Sequence, residues 1–177
     1  LYAEKLKSLG PLFYIGEVAL LFIIVLHIVT AIRVKRSAKK ARPIGYKEYQ
    51  TKKGPSKLNF MSQNMIISGL LLMFFLVVHI WQFRFGPGMD QGYVTTLNGK
   101  EARDFYRLIV ETFKAPQWVV FYCGFILFLG FHLRHGFWSA FQSLGVSYPR
   151  FSSTLYCIAA LLTLVLTIGF FVLPLYI

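Results

Sequence analysis

At 177 residues the chain is long enough for one domain, but 56% hydrophobic residues, 18% aromatic residues and a mean hydropathy of +0.56 are too apolar for a soluble globule. The net charge of +12 would suit a nucleic-acid surface if it were spread over the chain. It is not: residues 33–57 hold ten Lys or Arg and one Glu, a net of 10 − 1 = +9, so the basic excess marks one loop and no nucleic-acid partner is needed to explain it.

In chain order, four windows are long and apolar enough to cross a bilayer, whose hydrocarbon core of ~30 Å takes ~20 helical residues. They are about 12–32, 60–83, 116–141 and 151–176. None alternates with period two, so they are helices and not barrel strands. The expected fold class is an all-α membrane protein, one transmembrane helical bundle spanning residues 1–177, with a short interfacial helix. The opening LYAEKLKSLGP has neither the basic start nor the apolar stretch of a signal peptide, and a first residue of Leu reads as a chain that starts partway through its protein. The basic loop 33–57 faces the cytoplasm under the positive-inside rule, and residues 84–115, with five basic and four acidic side chains for a net of +1, face the other side. Within that outer connector, GKEARDFYRLIVETFKAP sets Ala102, Phe105, Ile109 and Phe113 at helical spacing, as in a helix lying along the membrane surface. Pro116 suits the first turn of the third span, and Ser152 or Ser153 the cap of the fourth.

All four histidines, His27, His79, His132 and His135, fall in spanning windows, where ionisable groups are expensive and mark functional sites. Depth follows from a rise of ~1.5 Å per residue: His27 lies about 9 Å from the inner surface, His135 and His132 about 10 and 15 Å from it, and His79 about 8 Å from the outer one. A haem held by two histidines needs one imidazole on each face of the iron, from facing helices at similar depth. His27 with His132 or His135 meets that need; His79 cannot share a ligand with them. Zinc fits less well, because the inner half lacks acidic side chains. Cys123 is nine residues before His132, about 180° round the helix, and points away from it. Gly124, Gly130 and Gly136 would admit a flat porphyrin against the third helix, or equally a close-packed neighbour. Arg134 could pair with a propionate or snorkel to the inner surface. Glu17 matches the depth of His79 and is a candidate for proton exchange in quinone chemistry; Ser139, Gln142 and Lys57 are candidates near the inner end.

The blocks YIGEVALLFIIVLHIVTAI, KKARPIGY, MIISGLLLMFFLVVHIWQF, FHLRHGFWSAFQSLG and GFFVLPLYI, in this order, resemble the cytochrome b membrane anchor of succinate dehydrogenase, of the single-chain, five-helix type. The resemblance covers essentially the whole chain. It implies five spans, of which this chain supplies four, and usually two b haems beneath a flavoprotein and an iron–sulfur subunit in the bacterial plasma membrane. Carried over by position, it implies His27 and His132 as ligands of the proximal haem, His79 as one ligand of the distal haem with its partner on a preceding helix, Arg134 and His135 as haem or quinone neighbours, and a membrane quinone, of the menaquinone kind, as substrate. The implied function is electron transfer from the iron–sulfur subunit to quinone. A quinol:fumarate reductase anchor is the same wiring run backwards, and two other classes compete: a haem-free anchor, and a proton-relay or transport protein that uses the histidines as relay groups.

Overall fold

The structure, a computed structural model, describes residues 9–42, 44, 63–97, 99–146 and 149–177. Among these, five α-helices and one two-stranded hairpin form two compact units, Leu1–Glu48 and Tyr49–Ile177. Four helices are long and apolar enough to cross a membrane, which makes this a multi-pass membrane protein.

The first unit is built on helix α1, Pro11–Ala41. Pro11 opens it, since proline's missing N–H is one that the first turn leaves unbonded anyway. At 31 residues α1 extends about 46 Å, well past a hydrocarbon core, so its end at 32 expected from hydropathy is too early. The reason is in the sequence: Val34, Lys35, Arg36, Ala38, Lys39 and Lys40 are good or tolerable helix formers in water, and Lys39 and Lys40 complement the negative end of the helix dipole. The helix stops where Pro43 forces the preceding Arg42 into extended backbone at φ −137°. The basic loop therefore begins as two further helical turns, and most of the rest of it, residues 43 and 45–57 with Lys57 among them, lies outside the described residues.

The second unit contains α2 (Met65–Phe83), a 3₁₀ turn (Met89–Gln91), a hairpin of β1 (Val94–Leu97) and β2 (Lys100–Arg103), then α3 (Phe105–Phe113), α4 (Pro116–Ser143) and α5 (Pro149–Tyr176). Pro116 stands at the start of α4 as expected, after an extended Ala115. Helix α5 begins at Pro149 by the same logic, so Ser152 and Ser153 lie inside its first turns and do not cap it. Helices α2 and α4 run antiparallel, with Ser68 beside His132 at one end and Gln82 beside Tyr122 at the other. Helices α4 and α5 do likewise, joining Cys123 to Phe171 and Arg134 to Tyr156. Gly130 permits that second contact: a Cβ there would lie 2.5 Å from Thr167 Oγ1 and 3.3 Å from Thr167 Cβ. Outward-facing residues such as Leu164, Val165, Ile168 and Leu173 are more than half exposed, as hydrocarbon solvent requires.

The outer connector differs from the sequence reading. Ala102 belongs to strand β2, paired with Thr95, and the helix starts only at Phe105. Asp104 explains the change, since its carboxylate accepts from the Arg107 N–H at 2.9 Å and so fixes the helix N-terminus after the strand. Leu108 and Thr112 are the buried residues of α3, with Ile109 and Phe113 packed against the cluster of Phe83, Leu108, Tyr122 and Ile126. Arg103 ties the hairpin to α2: it donates to the carbonyls of Phe83 at 3.0 Å, Gly86 at 3.0 Å and Pro87 at 2.8 Å. The Phe83 carbonyl lies at the open end of α2, where the helix itself offers no donors, and those of Gly86 and Pro87 lie in the turn just after it.

A second polar group holds the hairpin to α3. Tyr93 donates to Glu111 at 2.5 Å, Arg107 donates to the other Glu111 oxygen at 2.7 Å, and the Arg107 guanidinium lies 4.7 Å over the Tyr93 ring. The Tyr93 hydroxyl, and then Arg107, hold the Glu111 carboxyl below the usual carboxylate range, while the same hydrogen bond raises Tyr93 above its ordinary 10.0. Glu111 therefore stabilises the connector above pH 4.5, an effect lost as pH falls through its lowered folded value; Tyr93 stabilises it below pH 10.0, an effect lost as pH rises through its raised one. Both groups are open to solvent, which keeps the effect small. Amide-exchange protection of residues 93–111 is expected to peak between those limits and decline on both sides, with Glu111→Gln flattening both declines. A protection profile unchanged by that substitution would show that the trio contributes nothing.

Candidate functional site

The inner half of the second unit is organised around His132, half-buried on α4. Its Nδ1 lies 3.1 Å from the Oγ of Ser68 on α2, and a Cβ added to Gly69 would sit 3.6 Å from its Cε1. The ring edge thus lies close to α2, at a distance where a Cβ at position 69 would make ordinary van der Waals contact. Ser68 is 2% exposed, and its Oγ also lies 3.0 Å from the Met65 carbonyl. Cys123 is buried with its sulfur 3.9 Å from the Phe171 carbonyl on α5, so it faces a different helix from His132, as the helical angle implied.

Two residues past His132, Arg134 donates to the Tyr156 hydroxyl of α5 and lies 5.3 Å over its ring. That partner is neither of the two expected from sequence, a propionate or the membrane surface, although the guanidinium has further N–H groups to offer. His135, three residues past His132 on α4, is half-buried. Trp138 stacks edge-on against Tyr156 with rings 5.6 Å apart, is only 8% exposed, and its buried indole N–H has no acceptor among the described residues. A buried donor without an acceptor calls for one from outside the described chain. Ser139 and Gln142 continue the helix toward its end, with the Ser139 carbonyl accepting from Ser143 at 2.9 Å.

The outer half is organised around Tyr122, only 4% exposed. Its hydroxyl donates to Gln82 Oε1 at 2.9 Å and lies 3.4 Å from His79 Nδ1. The His79 ring stacks on Phe75 at 5.8 Å and 26°, with Phe83 and Tyr122 as its other aromatic neighbours. Ser68 and His79 are eleven residues apart on α2, about 16 Å by the helical rise, so His79 and His132 serve separate places, as their depths required. His27 and Glu17 are both on α1, ten residues or about 15 Å apart along its axis.

The residues present suit a haem in three respects. Histidines supply the donors, the Nδ1 atoms of His132 and His79 are each engaged by a hydroxyl on the facing helix, and a Cβ at Gly124 or Gly136 would meet open space. Gly130 is different, being filled by Thr167. No group of three His, Cys, Asp or Glu side chains gathers among the described residues. Sequence reading missed Ser68, Gln82, Tyr122 and Trp138. A serine in MIISGLLLMFF was the one available signal, since a hydroxyl in an apolar span seeks a partner. Comparison with protein-family models, curated proteins and solved structures finds no match to this chain.

Proposed function

We propose that this chain is a haem b-binding membrane anchor carrying electrons between an iron–sulfur subunit and a membrane quinone, the part played by the cytochrome b subunit of succinate dehydrogenase. The observation that carries the reading is His132, a histidine inside a span with one ring nitrogen already engaged by Ser68, together with a second spanning histidine, His27, on α1. When bound, haem supplies one-electron redox chemistry. The chain would supply the rest: His27 and His132 would hold the inner group, and His79 one side of an outer group. Arg134 and the indole N–H of Trp138 are cationic and neutral donors for propionate or quinone oxygens, and the apolar spans exclude water. Glu17 and the Tyr122–Gln82 pair are the polar groups able to pass a proton in the outer half. Flavoprotein and iron–sulfur subunits would dock on the cytoplasmic side, with the bacterial plasma membrane as location. Quinol:fumarate reduction uses the same parts in reverse, the direction being set by quinone potential and partners.

One observation favours a second reading. Gln82, Tyr122 and His79 form a hydrogen-bonded series, as a proton relay would. That reading predicts a colourless protein. A dithionite-reduced minus oxidised spectrum of the purified complex, with haem quantified per copy of this chain, separates the two. One or two b haems are expected; none would overturn the cytochrome reading.

A further inference from the structure

We infer that Ser68 is a positioning residue for His132: it fixes the imidazole tautomer so that Nε2 presents its lone pair to iron. The inference rests on the haem reading above and names a residue on a different helix that acts through the ligand.

A hydroxyl has one proton to give and two lone pairs with which to accept. The Ser68 Oγ lies 3.0 Å from the Met65 carbonyl and 3.1 Å from His132 Nδ1. A carbonyl can only accept, so the serine proton goes to Met65, as is usual for a serine bonded back to its own helix. The contact with the imidazole then has only one possible donor, the Nδ1–H of His132. A neutral imidazole with its proton on Nδ1 leaves Nε2 unprotonated, the form that binds a metal. Ser68 is 2% exposed, so water cannot replace it, and the ring lies close to α2 with Cε1 3.6 Å from where a Cβ at Gly69 would be. The ring is therefore held by its partner helix at Nδ1 before any ligand arrives. The outer pair repeats the arrangement: the Tyr122 proton is committed to Gln82, so His79 Nδ1–H is the donor toward Tyr122.

A ligand imidazole that donates through its other nitrogen is more basic, and such outer partners are typically worth roughly 10–100-fold in metal affinity. Greater basicity stabilises the oxidised iron. Ser68→Ala is accordingly expected to shift the midpoint potential of the inner haem upward, to alter its low-spin electron paramagnetic resonance signal, and to increase haem loss to apomyoglobin roughly 10–100-fold. Ser68→Thr keeps the oxygen and is expected to restore all three. The measurements use the purified complex. A Ser68→Ala complex with wild-type potential, signal and haem retention overturns this inference and leaves the ligand assignment standing; a wild-type complex without haem overturns both. Should the alanine variant not accumulate, Ser68→Cys keeps the volume while weakening the acceptor, and must shift the potential in the same direction, an unchanged potential overturning the inference.

Discussion

On the proposed reading, replacing His27 or His132 with alanine is expected to abolish binding of the inner haem, taking its content from about one per chain to none, because each would supply one of the two imidazoles that hold its iron and Ser68 positions His132, not His135. The spans themselves should insert normally, since each remains long and apolar without its histidine. His135→Ala is the contrasting case. His135 lies about one turn past His132 on α4 and is not the imidazole that Ser68 meets, so its loss should leave haem content intact while changing quinone reactivity or the haem environment. His79→Ala should spare the inner haem and remove only an outer one. Haem quantified per chain in these four variants tests the set. A His132→Ala complex with full inner haem content would return the chain to the haem-free and relay readings.

Gly130→Leu is expected to be strongly damaging to the packing of α4 against α5. The position of its Cβ is already 2.5 Å from Thr167 Oγ1 and 3.3 Å from Thr167 Cβ. Rotating the threonine can move its oxygen but not its Cβ, which is fixed to the α5 backbone and is stiff by branching. Helices α4 and α5 must separate, and in a membrane no hydrophobic gain compensates, because close van der Waals packing is itself what holds helices together there. Overpacking of this kind costs about 1–3 kcal/mol, and here the same displacement would disturb the Arg134–Tyr156 and Trp138–Tyr156 contacts. Unfolding in mixed dodecyl sulfate micelles should show the loss, and Thr167→Gly should recover part of it. If Gly130→Leu unfolds like the wild type, the α4 and α5 packing is not as close as these distances state.

The four spans were legible because hydropathy reports solvent, and a bilayer imposes its preference on every outward side chain alike. Their ends were less so. Helix α1 continues nine residues past its apolar window since helix propensity does not require apolar residues, and only Pro43 stops it. The β-hairpin was invisible for a related reason: KEARDFYRLIVETF satisfies a helical stripe throughout, and the decision to begin the helix at Phe105 belongs to the Asp104 cap and to Arg103, whose acceptors are sixteen to twenty residues back in the chain. The histidines announced themselves by their expense in hydrocarbon. Their hydroxyl partners did not, because Ser68 and Tyr122 acquire meaning only from which helix faces which, a property of packing that no local window contains. Gly130 shows the limit from the other side: three glycines on α4 looked equivalent, and only the position of Thr167 tells that one of them is spent on a neighbouring helix while two still face open space.

Arg103 gives the outer connector an unusual status. Its three acceptors include Phe83, the last residue of α2, so the span is completed by a side chain that the ribosome adds twenty residues later. A nascent chain carrying α2 alone leaves those carbonyls unanswered at the edge of the hydrocarbon, and the hairpin must cross to the far side before they are met. Epitope tags or reporter insertions should accordingly be tolerated at the hairpin tip near Gly99, whereas the same insertion between Arg103 and Asp104 would uncouple the clamp from the α3 cap that follows it. For topology mapping of this chain, the connector is part of the span it follows, and fusion points within it are not interchangeable.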